Sequence, residues 1–176
     1  MLPSASRRYF APALNLWYRA VARPQIATSD SAYWCLQVGI TERGLDDLGD
    51  VTSVLQAHAF SNSKLQQNPS TSVAAGQDLI RIHWEGYVQT SADELYHTVW
   101  DTIEGVQTFP SPVSGHVEHI VDNVDQEEVD EETVLVELSC NEASLLQAAI
   151  GWIEEKEYLD IIRRQSRGKF ADSVER

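Results

Sequence analysis

The sequence predicts a mainly β fold, a small sandwich or flattened barrel with a short helix near its N-terminal side and helices at its C-terminal end. Three observations predict it. Short apolar segments of β-preferring residues recur between turn residues from position 33 to position 138. Apolar residues at helical spacing follow over residues 143–164. The 176 residues suit one domain, and 43% hydrophobic with 23% charged residues is the composition of a globular protein with a core.

The first 29 residues differ in charge from the rest of the chain. They contain four of the 13 basic residues and none of the 27 acidic residues. On a helix, one face of this segment would gather four apolar side chains, Phe10, Leu14, Trp17 and Val21. An arginine-rich, acid-free, amphipathic segment is typical of a mitochondrial transit peptide. We therefore predict a leader over residues 1–29, cleaved between residues 20 and 29, and a location in the mitochondrial matrix; a disordered tail is the alternative.

The predicted domain covers residues 30–165 and begins with a strand and a short helix. Residues 33–40 are rich in aromatic and other β-preferring side chains, so they are predicted to form a strand. Thr41 is a suitable N-cap for a helix that Gly49 would end. Residues 51–77 have the composition of a long surface loop, and we interpret them as an insertion.

A hairpin is predicted next. Residues 78–84 alternate apolar and polar side chains, and residues 95–103 do so less regularly, so both are predicted to be strands. Glu104 and Gly105 suit the centre of a tight turn before a third strand over residues 106–109. The tip of this hairpin would therefore present Glu104.

The remaining elements follow in the same way. A strand is predicted over residues 113–121, an acidic loop over residues 122–132 and a last strand over residues 134–138. Residues 143–164 are predicted to form two helical pieces. Residues 166–176 are predicted to be a solvated tail.

Composition excludes several functions. The formal net charge is −14, and so acidic a protein repels phosphate backbones and anionic lipid heads, which argues against nucleic-acid and membrane partners. No apolar run is long enough to span a bilayer. The two cysteines, Cys35 and Cys140, are interpreted as reduced thiols in or near the core. Nucleotide-binding glycine motifs and the Gly-x-Ser-x-Gly elbow of hydrolases are absent from the sequence.

Histidines and acids form a weak metal motif. On a strand, His116 and Glu118 would share a face while His119 would point to the other side. This gives two ligands where catalytic zinc needs about three. We predict surface histidines and no metal site; a hydrolase that uses His116 or His119 stays as a third alternative for the function.

Several segments occur in the order of one family. Residues 38–50, VGITERGLDDLGD, resemble the segment of glycine cleavage system H-proteins in which a Val-Gly-Ile strand precedes a helix ending in Leu-Gly-Asp. Residues 101–115, DTIEGVQTFPSPVSG, resemble the family's lipoyl hairpin and its Ser-Pro-Val-Ser-Gly element. Residues 134–139 and 145–162 are similar to the last strand and the C-terminal helices, so the resemblance covers residues 36–163. The hairpin motif comprises Asp101, Thr102, Ile103, Gly105, Ser111, Pro112, Ser114 and Gly115.

The resemblance implies a lipoyl-domain-like barrel-sandwich hybrid. In H-proteins, a hairpin lysine carries lipoate through an amide, and this arm shuttles an aminomethyl group between enzymes. Glu104 holds the equivalent position here, seven residues before Ser111. A carboxylate cannot form that amide, so we predict no lipoate at this position and no other cofactor. The lysines of the chain are Lys64, Lys156 and Lys169.

The sequence therefore predicts a catalytically silent H-protein-like subunit that binds other proteins in a mitochondrial assembly. Trp100, Asp101 and Glu104 are the candidate partner contact, with two solvated turn acids as the plainer alternative for Asp101 and Glu104. The alternative function is an atypical component of the glycine cleavage system, which would carry lipoate on another lysine or regulate the partner enzymes without carrying it.

Overall fold

The structure is a computed structural model, and it describes residues 3–4, 7–23, 33–57, 72–92, 98–121 and 129–174, with the backbone alone for 89–92, 98–100 and 166–174. Within these ranges the fold is mainly β with two antiparallel sheets and C-terminal helices, so the predicted fold class is confirmed. The first strands and helix are β1 (Arg8–Ala11), β2 (Leu16–Ala22), β3 (Tyr33–Ile40), α1 (Glu42–Leu48) and β4 (Asp50–Gln56). The later elements are β5 (Ser72–Val73), β6 (Asp78–Ala92), β7 (Thr98–Pro110), β8 (Gly115–Ile120), β9 (Val136–Asn141), α2 (Glu142–Ala148), β10 (Ile153–Glu154) and α3 (Glu155–Val174).

Two sheets share one core. Among the described strands, the larger sheet has the order β10-β1-β2-β3-β9-β8-β5 and the smaller one the order β4-β6-β7. Leu36 and Leu138 of the larger sheet are buried in the same cluster as Val54, Ile80 and Ile82 of the smaller one. Apolar side chains from both sheets thus exclude water together, an arrangement compatible with a flattened sandwich.

The N-terminal segment is part of this core. The helix predicted there is wrong, because β1 and β2 pair with each other and β2 pairs with β3 along its whole length. Asn15 makes the turn between them with a φ of 53°, a left-handed conformation that asparagine tolerates better than most residues. Leu16, Trp17 and Tyr18 are buried. The predicted domain boundary at residue 30 is therefore also wrong, since the fold includes residues 8–22.

The first predicted helix is confirmed. Thr41 caps α1, because its side-chain oxygen accepts a hydrogen bond of 3.2 Å from the backbone N–H of Gly44. Gly49 ends the helix with a φ of 91°, and its N–H donates to the carbonyl of Leu45 at 2.9 Å. Local capping chemistry was sufficient to predict both ends.

The predicted insertion over residues 51–77 is in part regular structure. Residues 51–56 of the predicted insertion belong to β4, which pairs with β6. Residues 72–73, near the end of the predicted insertion, form β5, which pairs with β8. Residues 58–71 of the predicted insertion lie outside the described residues. The misprediction arises because β4 is largely half-buried and mixes polar with apolar side chains, so it lacks a clear alternation.

The C-terminal helices are confirmed as two pieces. A single 3-10 turn over Ala149–Gly151 separates α2 from the short strand β10, and α3 follows. The ring of Tyr158 on α3 stacks on Phe10 with the ring centroids 4.5 Å apart, which fixes α3 against β1. The backbone of α3 is helical to Val174, so the helix predicted to end at residue 164 continues through most of the predicted tail over residues 166–176. The predicted strand over residues 134–138 begins at Val136, and residues 122–128 of the acidic loop lie outside the described residues.

Candidate functional site

Glu104 does not lie at the tip of a hairpin, so this part of the prediction is wrong. It lies in the middle of β7, directly opposite Glu85 of β6. β6 and β7 pair from Asp78 and Pro110 to Ala92 and Thr98, so the connection between them consists of residues 93–97, outside the described residues. The predicted strand break at residues 104 and 105 is a continuous strand.

The strand is continuous here because Gly105, which suggested a turn in the sequence, serves packing within the sheet. Gly105 is opposite Trp84, and a Cβ atom added to Gly105 would lie 2.2 Å from the Cζ2 atom of the indole. The missing side chain therefore makes room for Trp84 to lie across the neighbouring strand. Thr102, Ile103 and Val106 on either side favour an extended backbone. Gly105 thus supports packing within a sheet.

Three carboxylates line up across the smaller sheet. Asp50 of β4 is opposite Glu85 of β6, and Glu85 is opposite Glu104 of β7, so all three side chains are on one face. We name these three residues the acidic row. Like charges directly opposite each other destabilise a sheet. Asp101 lies three residues before Glu104 and therefore on the opposite face, so the two are not the neighbouring turn acids that the sequence suggested.

Beyond the acidic row, β6 and β7 continue as a two-stranded ribbon. β4 pairs with β6 only as far as Glu85, and we name residues 86–92 and 98–103 the arm. Near this junction several apolar side chains are exposed, including Tyr87 at 65% and Val106 at 54%. The backbone of Trp100 lies in the arm opposite Gln89, but its side chain is outside what the structure describes. Asp101 and Glu104 of the predicted partner contact are therefore on opposite faces of β7.

The rest of the predicted hairpin motif is structural. Ser111 is buried, and its hydroxyl donates to the carbonyl of Val113 at 2.7 Å. The hydroxyl oxygen of Ser114 accepts from the N–H of Ala75 at 3.0 Å. A Cβ atom on Gly115 would lie 2.1 Å from the carbonyl oxygen of Ser139. These contacts hold the end of β7 and the start of β8 against neighbouring segments, and the half-buried Pro112 lies between them.

A bulge in β8 changes the predicted faces of the histidines. His116 pairs with Ser139 and His119 with Glu137, so both histidines come to the same face, contrary to the prediction from strict alternation. Glu118 forms an ion pair of 2.6 Å with Arg23. Over the described part of the chain, no group of three or more His, Cys, Asp or Glu side chains could hold a metal ion.

A hydrogen-bonded polar ladder crosses the larger sheet and was missed by sequence reasoning. The Nε of Arg19 donates to Gln37 at 2.7 Å, and Nε2 of Gln37 donates to Glu137 at 2.7 Å. The three residues are opposite one another on β2, β3 and β9. Since Glu137 is 100 residues from Gln37, no local pattern signals this ladder.

A small cavity lies between the N-terminal strands and α3. It has a volume of about 100 Å³, and its lining includes Phe10, Trp17, Arg43 and Tyr158. The Nε1 of Trp17 and the hydroxyl of Tyr158 are buried without a hydrogen-bond partner among the described residues. Such groups cost about 1–3 kcal/mol each unless water reaches them. Sequence reasoning missed this cavity because it had assigned Phe10 and Trp17 to a leader.

Both cysteines are free and buried, as predicted. Burial raises the pKa of the Cys140 thiol from 9.0 to about 11, and it also raises the pKa of Cys35. Raised pKa values keep the thiols protonated and unreactive at neutral pH. Neither has the properties of a catalytic nucleophile.

The lysines do not reproduce a lipoyl site. Lys156 is exposed near the start of α3. Lys169 lies in the same helix, in a part where only the backbone is described, and Lys64 is outside the described residues. Among the described residues, therefore, no lysine lies on the β6–β7 hairpin.

Comparison of the chain with protein-family models, with curated proteins and with solved structures finds no match. Among the described residues, no helix combines the length and the apolar character needed to cross a membrane.

Proposed function

We propose that this protein is a non-catalytic binding or structural subunit of a protein assembly, built on a frame that resembles the H-proteins of the glycine cleavage system without their lipoyl-lysine. The observation that carries the proposal is the position of Glu104. A carboxylate within a paired strand offers neither the amine nor the exposed tip that a lipoyl arm requires. What this region does offer is an exposed ribbon with apolar side chains, a surface suited to contact with another protein.

The hairpin lacks an attachment point for lipoate under a second alignment as well. If the family's lysine is matched to the connection between β6 and β7 instead, the residues there read Asp-Glu-Leu-Tyr-His. This segment also lacks an amine. Under both alignments the sequence provides no attachment point on the hairpin, and this supports a role other than carrying lipoate.

A Glu104→Lys variant tests whether position 104 could carry lipoate if it had an amine. We expect a lipoate ligase and lipoic acid to leave this variant unmodified, because position 104 lies within a strand and not at a tip. A genuine H-protein in the same reaction is the positive control, and intact mass is the measurement. Lipoylation of Glu104→Lys would mean that position 104 is presented like the family's lysine and would contradict the assigned strand pairing.

The subunit role itself is tested on the protein purified from its source. We expect cross-linking followed by mass spectrometry to recover partner proteins in fixed proportion, and intact mass with an anti-lipoyl blot to find no lipoyl group. A lipoyl group on Lys64, Lys156 or Lys169 would instead favour an atypical glycine cleavage component. A protein that purifies alone under gentle conditions would refute the assembly role.

The mitochondrial matrix is the proposed location on sequence grounds, through the arginine-rich, acid-free first 29 residues. Since β1 and β2 lie within that segment, cleavage between residues 20 and 29 would remove β1 and all or most of β2 from the larger sheet. We therefore expect the protein in mitochondria to retain residues 8–22. Peptide mapping of protein from purified mitochondria would check this, and the absence of these residues from the folded protein would contradict it.

A further inference from the structure

We propose that the outer edge of β7 binds an extended, basic segment of a partner protein as an added β-strand, next to the acidic row. This inference rests on the proposed function and specifies the chemistry of the partner. It uses the backbone edge for affinity and the carboxylates for selectivity, the usual division when a peptide extends a sheet.

The backbone supplies the first argument. β7 has 13 residues, and within the described part of the chain its sole strand neighbour is β6. Every second residue of an edge strand directs its N–H and C=O groups away from the sheet, so β7 offers a long row of donors and acceptors. A two-stranded ribbon such as the arm is also marginally stable in water, and a third strand would stabilise it.

The side chains supply the second argument. Tyr87 and Val106 are exposed on the same face as Glu85 and Glu104, because the register places Tyr87 opposite Thr102 and Glu85 opposite Glu104. An added strand could cover this apolar surface. The charge near this edge is predominantly negative, since residues 82–155 contain 17 acids and no Lys or Arg. Arg81, opposite Thr108 at the far end of β7, is the one Lys or Arg in the sequences of β6 and β7. Lysine or arginine on an added strand would face these carboxylates, whereas an acidic strand would be repelled.

Charge also decides between a foreign partner and a second copy of this chain. Glu104 is the central residue of β7, which spans Thr98–Pro110. Antiparallel pairing of two β7 strands in full register would therefore place Glu104 opposite Glu104 of the second copy. The formal charge of −14 on each chain adds to this repulsion. A charge in an edge strand commonly prevents such self-pairing, and it leaves the edge open to a basic segment.

The probe is a nine-residue synthetic peptide in which lysine alternates with valine or threonine, labelled for fluorescence anisotropy and titrated into the full-length protein. We expect saturable binding that weakens with salt, and new protection from hydrogen exchange at amides of β7. The control peptide has the same sequence with alternate backbone nitrogens methylated on the edge that would pair. It keeps the charge and loses the donors, so we expect it to bind at least tenfold more weakly.

Two variants test the role of Glu104. Exposed charge pairs contribute little to binding, so Glu104→Gln should weaken binding by roughly 1.4- to fivefold and Glu104→Lys by about tenfold. Glu157→Lys on α3 is the matched control, because Glu157 is also exposed and the change in net charge is the same. We expect Glu157→Lys to bind the peptide within twofold of the unmodified protein.

Three outcomes would overturn the inference. The first is equal weakening by Glu104→Lys and Glu157→Lys, which would indicate attraction by net charge alone. The second is equal binding of the methylated peptide. The third is an edge of β7 already protected from exchange in the free protein, by residues 58–71 or by a second copy. In each case recovery of partner proteins by cross-linking would still support the proposed function. Failure of the added-strand inference can therefore be told apart from failure of the proposed function.

Discussion

Replacing Leu16 by alanine should destabilise the protein strongly, because the N-terminal strands are part of the core. The side chain of Leu16 is 1% exposed and belongs to the main apolar cluster. Its backbone pairs with Ala11 on one side and Ile40 on the other. Truncation of such a leucine costs about 2–5 kcal/mol, made up of lost burial and the cavity left behind. That is a large part of the 5–15 kcal/mol that typically stabilises a domain.

Leu14 provides a matched control only two residues away. It lies in the turn between β1 and β2 and is 37% exposed, so Leu14→Ala should change the free energy of unfolding by less than about 1 kcal/mol. Urea unfolding followed by tryptophan fluorescence and circular dichroism measures both variants. Equal slopes of free energy against urea would show that stability has changed and not the unfolded state. If Leu16→Ala costs no more than Leu14→Ala, the segment is not packed in the core and the assignment of β1 and β2 is wrong.

Two further predictions concern a glycine and the thiols. Gly105→Ala should destabilise the protein by roughly 1–3 kcal/mol because its Cβ would overlap Trp84. Gly86→Ala, whose Cβ would have its nearest atoms at 3.6 Å, should be tolerated. Thermal unfolding compares the two variants, and equal effects would contradict the packing of Trp84 on Gly105. Burial raises the pKa of Cys140 from 9.0 to about 11, so its contribution to stability is complete below about pH 9 and is lost as the pH rises through 11. Cys140→Ala should lose less stability over that range than the unmodified protein, and both Cys140 and Cys35 should react with iodoacetamide at pH 8 only after unfolding.

Elements set by local chemistry could be predicted from the sequence. β3 and α1 have the predicted bounds, because aromatic and branched side chains favour the strand and Thr41 and Gly49 cap the helix. The two C-terminal helical pieces follow from apolar spacing. In each case the information lies within about a dozen neighbouring residues.

The N-terminal strands were mispredicted because their charge has a cause outside the segment. The guanidinium groups of Arg8 and Arg19 lie 5.6 and 5.7 Å from the ring centroid of Trp17, close enough for cation–π contact. Arg8 also pairs with Glu132 at 2.8 Å, and Arg23 with an acid of β8. The arginines and the acids that balance them are separated by more than 90 residues of chain. An acid-free arginine-rich segment therefore has a second explanation: it can form strands within a sheet whose arginines pair with acids from distant parts of the chain.

The error at Glu104 has the same origin and bears directly on function. A Glu-Gly pair satisfies the local rules for a turn, but the pairing of Gly105 with Trp84 and of Glu104 with Glu85 depends on a strand about 20 residues earlier in the chain. Because β7 is continuous, Glu104 is not a turn residue in the place of a lipoyl-lysine. It is the central residue of an exposed edge strand. Carboxylates that face each other across strands lower stability. A charged residue in an edge strand disfavours pairing with the same strand of a second copy. A basic strand added at this edge would relieve the repulsion between the carboxylates, and this is why we propose the edge of β7, and not the tip of the hairpin, as the binding site.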